Sequence, residues 1–164
     1  EFQGFELEIL SSPGHTNWCM SLFEHRDRTL FCGDLLMENL TSHPLMQPTP
    51  ANLMEWPNQI EMIHHSLNAI RSLRPTAIYR GHAEPVASVD AMREKILQKH
   101  SETQTKIVKV LETGPGKLFQ INQRVSTFRT PVEQFIQIFE TNHHLNCLMR
   151  AGKVRKLDST FSLS

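Results

Sequence analysis

Three short apolar runs in this sequence each lead into a side chain that can ligate a metal. The first is Ser12-Pro13-Gly14-His15-Thr16, where Pro and Gly hold a tight turn and deliver the histidine on a stiff support. The second is Phe31-Cys32-Gly33-Asp34, an apolar run ending in a carboxylate. The third is Ile78-Tyr79-Arg80-Gly81-His82, again an apolar run, a glycine and a histidine. Imidazole nitrogen and carboxylate oxygen both suit zinc. A ligand must be fixed to tenths of an ångström, which favours rigid supports at strand ends.

Each motif has a plainer use on its own. A Pro-Gly-His turn is common, a Gly-Asp after a strand usually caps or turns, and Gly-His alone says little. Specificity lies in their order and spacing. The chain holds nine histidines, and the others receive plainer readings. His25 falls in a turn, and His64-His65 lie on a helix with at least one facing solvent. His43 sits in a long loop, where it could line a pocket. His143-His144 are expected to face solvent or a partner. Cys32 reads as a small buried hydrophobe. Trp18 and Trp56 read as packing residues, Trp56 being the better candidate for touching substrate.

The elements that must position these residues follow from periodicity. Phe5 to Leu10 alternates like a half-buried strand, Asn17 to Glu24 is a second strand, and Thr29 to Cys32 a third. Residues 38–58 carry Pro44, Pro48, Pro50 and Pro57 and read as a long irregular loop. Ile60, Ile63, Leu67, Ile70 and Leu73 have helical spacing, and Pro75 stops that helix. Thr76 to Tyr79 is a brief buried strand. Strands with one covering helix suggest an α/β layer.

Beyond Pro85 the pattern becomes helical. Ser88 can cap a helix through about Glu112, with Met92, Ile96, His100, Ile107 and Leu111 along it. A short helix is expected over 118–125. Thr130-Pro131-Val132-Glu133 starts another, running to Leu148-Met149 with a break near Thr141-Asn142. After Gly152, residues 153–157 alternate like a strand. Helices followed by a small hairpin suggest a winged helix-turn-helix.

Hydrophobic residues make up 39% of the 164 and charged residues 21%, enough for a buried core. Acidic and basic residues balance at 17 each, which argues against broad electrostatic capture of nucleic acid or anionic membrane. No apolar run approaches the roughly 20 residues that span a bilayer. The three cysteines, Cys19, Cys32 and Cys147, read as reduced thiols, and a cytoplasmic location is expected. The chain opens on Glu1 without methionine and is expected to be a fragment or processed product.

Pro13-Gly14-His15-Thr16, Ser21-Leu22-Phe23, Leu30-Phe31-Cys32-Gly33-Asp34-Leu35-Leu36 and Gly81-His82 together resemble the second half of the metallo-β-lactamase superfamily, in its glyoxalase-II-like and lactamase-β-like branch. Glu84-Pro85 before a long helix, and then Leu145-Asn146-Cys147-Leu148-Met149-Arg150-Ala151-Gly152-Lys153-Val154, resemble that branch's C-terminal winged helix. The resemblance implies an α/β fold: the C-terminal half of an αββα metallo-β-lactamase sandwich over 1–86. A linker helix and an α-helical winged-helix domain would follow over 87–164. It implies that His15 binds one metal, Asp34 bridges two and serves catalysis by orienting the nucleophile, and His82 binds the second. Two zinc ions are implied for the intact protein, with partial or no occupancy in this chain. Two positions depart from the family's pattern: Arg80-Gly81-His82-Ala83 replaces Pro-Gly-His-Gly, and Asn17-Trp18 follows His-Thr in place of Pro-Gly. The family's His-x-His-x-Asp-His signature occurs nowhere in the chain.

Two classes of function follow. One is a zinc-dependent hydrolase in its intact form, acting on an ester, thioester or phosphodiester, with this chain alone inactive. The other is a binding module for nucleic acid or protein, in which Arg150, Lys153, Arg155 and Lys156 near the wing contact phosphates. An RNA substrate would reconcile the two, a small-molecule substrate being the other option. Half a sandwich would expose an apolar sheet face, so the missing N-terminal half or another copy of the chain, as in a homodimer, is expected to cover it.

Overall fold

The computed structural model describes residues 4–37, 58–128 and 130–164. His43, Trp56 and most of the proline-rich loop lie outside the described residues. Two compact units divide the described chain, 4–37 with 58–97, and 98–164. Among the described residues no helix is long and apolar enough to cross a membrane.

The first unit is built on a four-stranded sheet in the order β1-β2-β3-β4. The strands are β1 (Leu7–Ser11), β2 (Met20–Glu24), β3 (Thr29–Phe31) and β4 (Ala77–Tyr79). The β1-β2 and β2-β3 ladders are antiparallel, and β3-β4 is parallel. The second strand starts at Met20 rather than Asn17, because residues 15–18 turn away as a loop closed by Ser12 N–H donating to Cys19 O at 2.9 Å. Trp18 rides on that loop and is 81% exposed, so the packing role expected for it is corrected.

Helix α1 (Gln59–Ser72) covers one sheet face. It begins where Asn58 Oδ1 accepts the Ile60 N–H at 3.0 Å, an N-cap the apolar periodicity alone did not locate. Its Ile63, Leu67 and Ile70 pack on Phe23, Leu30 and Ile78 of the strands, joined by Met92 and Ile96 from helix α2 (Val89–Glu112). Side chains alternate across a strand, so the other face carries Ile9, Leu22, Phe31 and Tyr79 in register, one from each strand. All four are exposed, Ile9 at 69%.

In the second unit, the rest of α2 packs with α3 (Leu118–Val125) and α4 (Pro131–Arg150). A three-stranded antiparallel sheet joins them in the order β5-β7-β6, with β5 (Gly116–Lys117), β6 (Val154–Leu157) and β7 (Thr160–Leu163). Ile107, Leu111, Ile121, Leu145, Leu148, Val154 and Phe161 form the core. Helix α4 runs without the break expected near Thr141-Asn142. Buried Thr141 Oγ1 donates to Asn122 Oδ1 at 2.9 Å, and packing at that point overrides the weak local helix preference of the pair. His143 and His144, expected to face solvent or a partner, are buried. They share the inward face of α4 with Leu145 and Leu148.

Thr130 Oγ1 accepts the Glu133 N–H at 3.1 Å, with Pro131 at the first helical position. Thr130→Ala removes that acceptor and is expected to lower stability by about 1 kcal/mol, read from urea denaturation of the chain. A change below a few tenths would mean the cap contributes nothing.

Candidate metal centre

The three ligand candidates reach one place by separate routes. His15 follows β1 on a turn held from three sides. Ser66 of α1 donates to Pro13 O at 2.7 Å, Ser12 and Ser21 hydroxyls share a buried 2.8 Å bond, and Gly14 N–H donates to Thr16 O at 2.9 Å. Gly14 adopts φ +150° and lies so close to Ile63 that any Cβ there would fall inside 3.0 Å. Only glycine lets the turn sit directly on α1.

Asp34 sits in a single 3-10 turn, Gly33–Leu35, just past β3. Leu35 and Leu36 are fully buried in the core, which pins the turn and leaves the carboxylate at the strand end. Cys32 before it is buried, and burial pushes its thiol up to about 11. It is a neutral packing group, as its sequence position suggests.

His82 follows β4. The β3-β4 pairing continues past the strands through Cys32 N–H to Tyr79 O at 3.0 Å and Gly81 N–H to Gly33 O at 2.9 Å. Ile78 and Val86 exchange two 2.9 Å backbone bonds, and the Arg80 guanidinium donates to Glu84 O, closing the loop that carries His82. A Cβ on Gly81 would collide with Asp34 Oδ1. The glycine thus makes the floor on which the carboxylate rests.

The outcome is a carboxylate between two imidazoles. Asp34 Oδ2 lies 3.7 Å from His15 Nε2, and Asp34 Oδ1 lies 3.5 Å from His82 Nε2. His15 is sheltered at 15% side-chain exposure, whereas His82 stands out at 76%. Among the described residues no group of three His, Cys, Asp or Glu side chains stands close enough together to hold a metal ion. The donor chemistry nonetheless fits a borderline cation: two imidazole nitrogens and one carboxylate with each oxygen facing a different ring.

Compared with solved structures, the chain superposes over its whole length on a metallo-β-lactamase family protein of Thermus thermophilus, with TM-score 0.84, 20% identity and 51% of that protein covered. The fold is the metallo-β-lactamase fold. A β-lactamase domain protein of Burkholderia ambifaria agrees, with TM-score 0.83, 15% identity and 50% covered. Curated relatives with the same association are the probable metallo-hydrolase YqjP of Bacillus subtilis strain 168, 29% identical over 140 residues, and a β-lactamase-like protein 2 homolog of Caenorhabditis elegans, 28% identical over 112. These alignments take in 85% and 66% of this chain but only 44% and 32% of the relatives, so the chain spans less than half the length of the curated proteins it matches. No protein-family model matches it.

The other sequence candidates fall elsewhere. Arg150, Lys153, Arg155 and Lys156 are exposed in the second unit, where Lys156 Nζ lies 5.5 Å from the Phe161 ring centroid. His25 is in a turn and pairs with Glu8 at 2.9 Å, and His65 is exposed on α1. Sequence reasoning missed Ser66 and Ser12 as supports of the His15 turn. Ser66 does occupy the buried stripe of α1 with Ile63, Leu67 and Ile70, and a hydroxyl in such a stripe signals a buried acceptor.

Proposed function

We propose that this chain is one half of a metal-dependent hydrolase of metallo-β-lactamase fold, in which His15, Asp34 and His82 supply part of a two-zinc centre. The observation that carries this reading is the Asp34 carboxylate with one imidazole facing each oxygen. Relatives named metallo-hydrolase and β-lactamase-like support hydrolysis as the activity.

Zinc at these ligands would supply Lewis acidity, activating water and polarising an ester, thioester or phosphodiester oxygen. The chain's own residues hold and orient. The sheltered His15 fixes one side of the site, Asp34 joins both sides through its two oxygens, and His82 closes the open edge. The remaining ligands would come from a complementary half bearing the His-x-His-x-Asp-His signature. The exposed row of Ile9, Leu22, Phe31 and Tyr79 is the surface we assign to that half, since an apolar sheet face of this kind is normally covered. The second unit has the element order helix, strand, helix, helix, strand, strand, which supports its reading as a winged-helix module.

His15→Ala and His82→Ala in the full-length gene product test the assignment by zinc content. Each is expected to lower zinc per chain and to remove most hydrolytic activity. Unchanged stoichiometry in both variants would sink the metal reading.

A further inference from the structure

The chain is neutral as a whole, but its charge is divided unevenly. Residues 98–164, which make up the second unit among the described residues, hold ten Lys and Arg against five Asp and Glu, a net +5. Residues 1–97 hold seven against twelve, a net −5. The overall balance therefore does not describe the second unit, which is basic in its own right.

The strand register gathers part of that charge on one surface. Lys117 of β5 and Leu157 of β6 flank Thr160 of β7, and Arg155 of β6 stands opposite Ser162 of β7. Residues paired across a ladder share a face, and so do alternate residues of a strand. Lys117, Arg155, Leu157, Thr160 and Ser162 thus line one face of the three-stranded sheet. Val154, Phe161 and Leu163 line the other, against the core. Lys153 comes two residues before Arg155 and joins the ladder where Ser164 N–H donates to its carbonyl at 3.1 Å, so it extends the first face. The three cations Lys117, Lys153 and Arg155 are exposed, and the three strands contain no Asp or Glu. Arg155 Nε donates to Ser162 Oγ at 3.2 Å, which ties the guanidinium to the sheet through one of its five donors. Two basic residues singled out in the sequence fall off this face. Lys156 belongs to the core side, with Nζ over the Phe161 ring, and Arg150 ends α4. Lys117 joins instead, from a strand too short to be read in the sequence.

We propose that this face docks on duplex DNA through the phosphates, without reading base sequence. Ammonium, guanidinium and hydroxyl groups are the side chains that contact phosphate oxygens. Single strands are held by stacking their bases on aromatic rings, and Phe161, the one aromatic of the three strands, is buried on the core side. Three strands about 4.8 Å apart make a face roughly 10 Å across. Duplex RNA is recognised across two successive minor grooves, a span this face does not reach. The phosphates bordering a single groove of DNA, about 6 to 12 Å wide, are within its reach. Docking of this kind needs nothing from the metal centre.

The test is fluorescence anisotropy of a labelled DNA duplex of about 20 base pairs, titrated with the 164-residue chain at roughly 50 and 200 mM salt. Three phosphate contacts predict that affinity falls roughly 40-fold between those salts. The double variant Lys117→Ala, Arg155→Ala keeps one contact, and its fall should shrink to roughly 4-fold. The double variant Lys99→Ala, Lys106→Ala removes the same charge from exposed positions of α2 and should keep the wild-type fall. Equal losses in the two double variants would mean that net charge rather than this face holds the duplex, and would overturn the proposal. So would an absence of binding, or tighter binding of a single strand or an RNA duplex of the same length.

Discussion

Gly81→Ala in the full-length gene product is expected to weaken zinc binding by about 10- to 100-fold while leaving the melting temperature within about 4 °C of wild type. The reasoning separates fold from site. A methyl group at position 81 meets the Asp34 carboxylate, the end of a side chain that can swing aside. The backbone therefore tolerates the substitution. The carboxylate cannot stay where it is, so one or both of its contacts at 3.5 and 3.7 Å are lost. Supporting groups around metal ligands typically carry effects of this size. Isothermal titration with zinc, beside a thermal melt, reads both quantities. Unaltered affinity would show that Asp34 does not need its present position, and the centre would have to be reassigned.

Ile9→Lys is expected to act differently with and without the proposed complementary half. Where the proposed complementary half rests on the sheet it should cost about 3 kcal/mol or more, because a long charged side chain would be pressed into that contact. In the 164-residue chain alone it should cost less than about 0.5 kcal/mol, since Ile9 is 69% exposed. The same change should raise the concentration at which the isolated chain stays monomeric in analytical ultracentrifugation. A small effect in both forms would mean that no complementary half rests on Ile9, Leu22, Phe31 and Tyr79.

The sequence made some parts of this molecule readable and hid others for physical reasons. Strands β1 to β4 and helix α1 announce themselves by period, since one face of each is buried and the pattern repeats every 2 or 3.6 residues. The ligand candidates His15, Asp34 and His82 were visible because each follows an apolar strand and a glycine. Their convergence on the two Asp34 oxygens was not visible, because the parallel β3-β4 pairing that brings Gly81 beneath Asp34 joins distant segments. Strand β5 is two residues long and paired only through β7, so it has no local pattern to read. Burial of His143 and His144 was masked by the helix break expected at Thr141-Asn142. With the helix continuous, Thr141, His144, Leu145 and Leu148 fall on one stripe at spacings of three and four. Trp18 misled because a large aromatic is usually buried, whereas here it sits on the exposed loop after His15.

The parallel β3-β4 ladder also sets an order in time. Leu22 meets Phe31 across a nearby hairpin, but Leu30 meets Ile78 only after a loop of about 50 residues has closed. Closing a loop of that length costs roughly 3 kcal/mol of chain entropy before any contact is gained, and such contacts form late. The β1-β2-β3 meander, with His15 in its first connection and Asp34 just past its last strand, can therefore assemble early, while His82 arrives last. Refolding should pass through a species that already holds the first two of these ligand candidates in place and lacks the third. A cation present during folding would meet an open half-cradle first and be enclosed only as β4 docks.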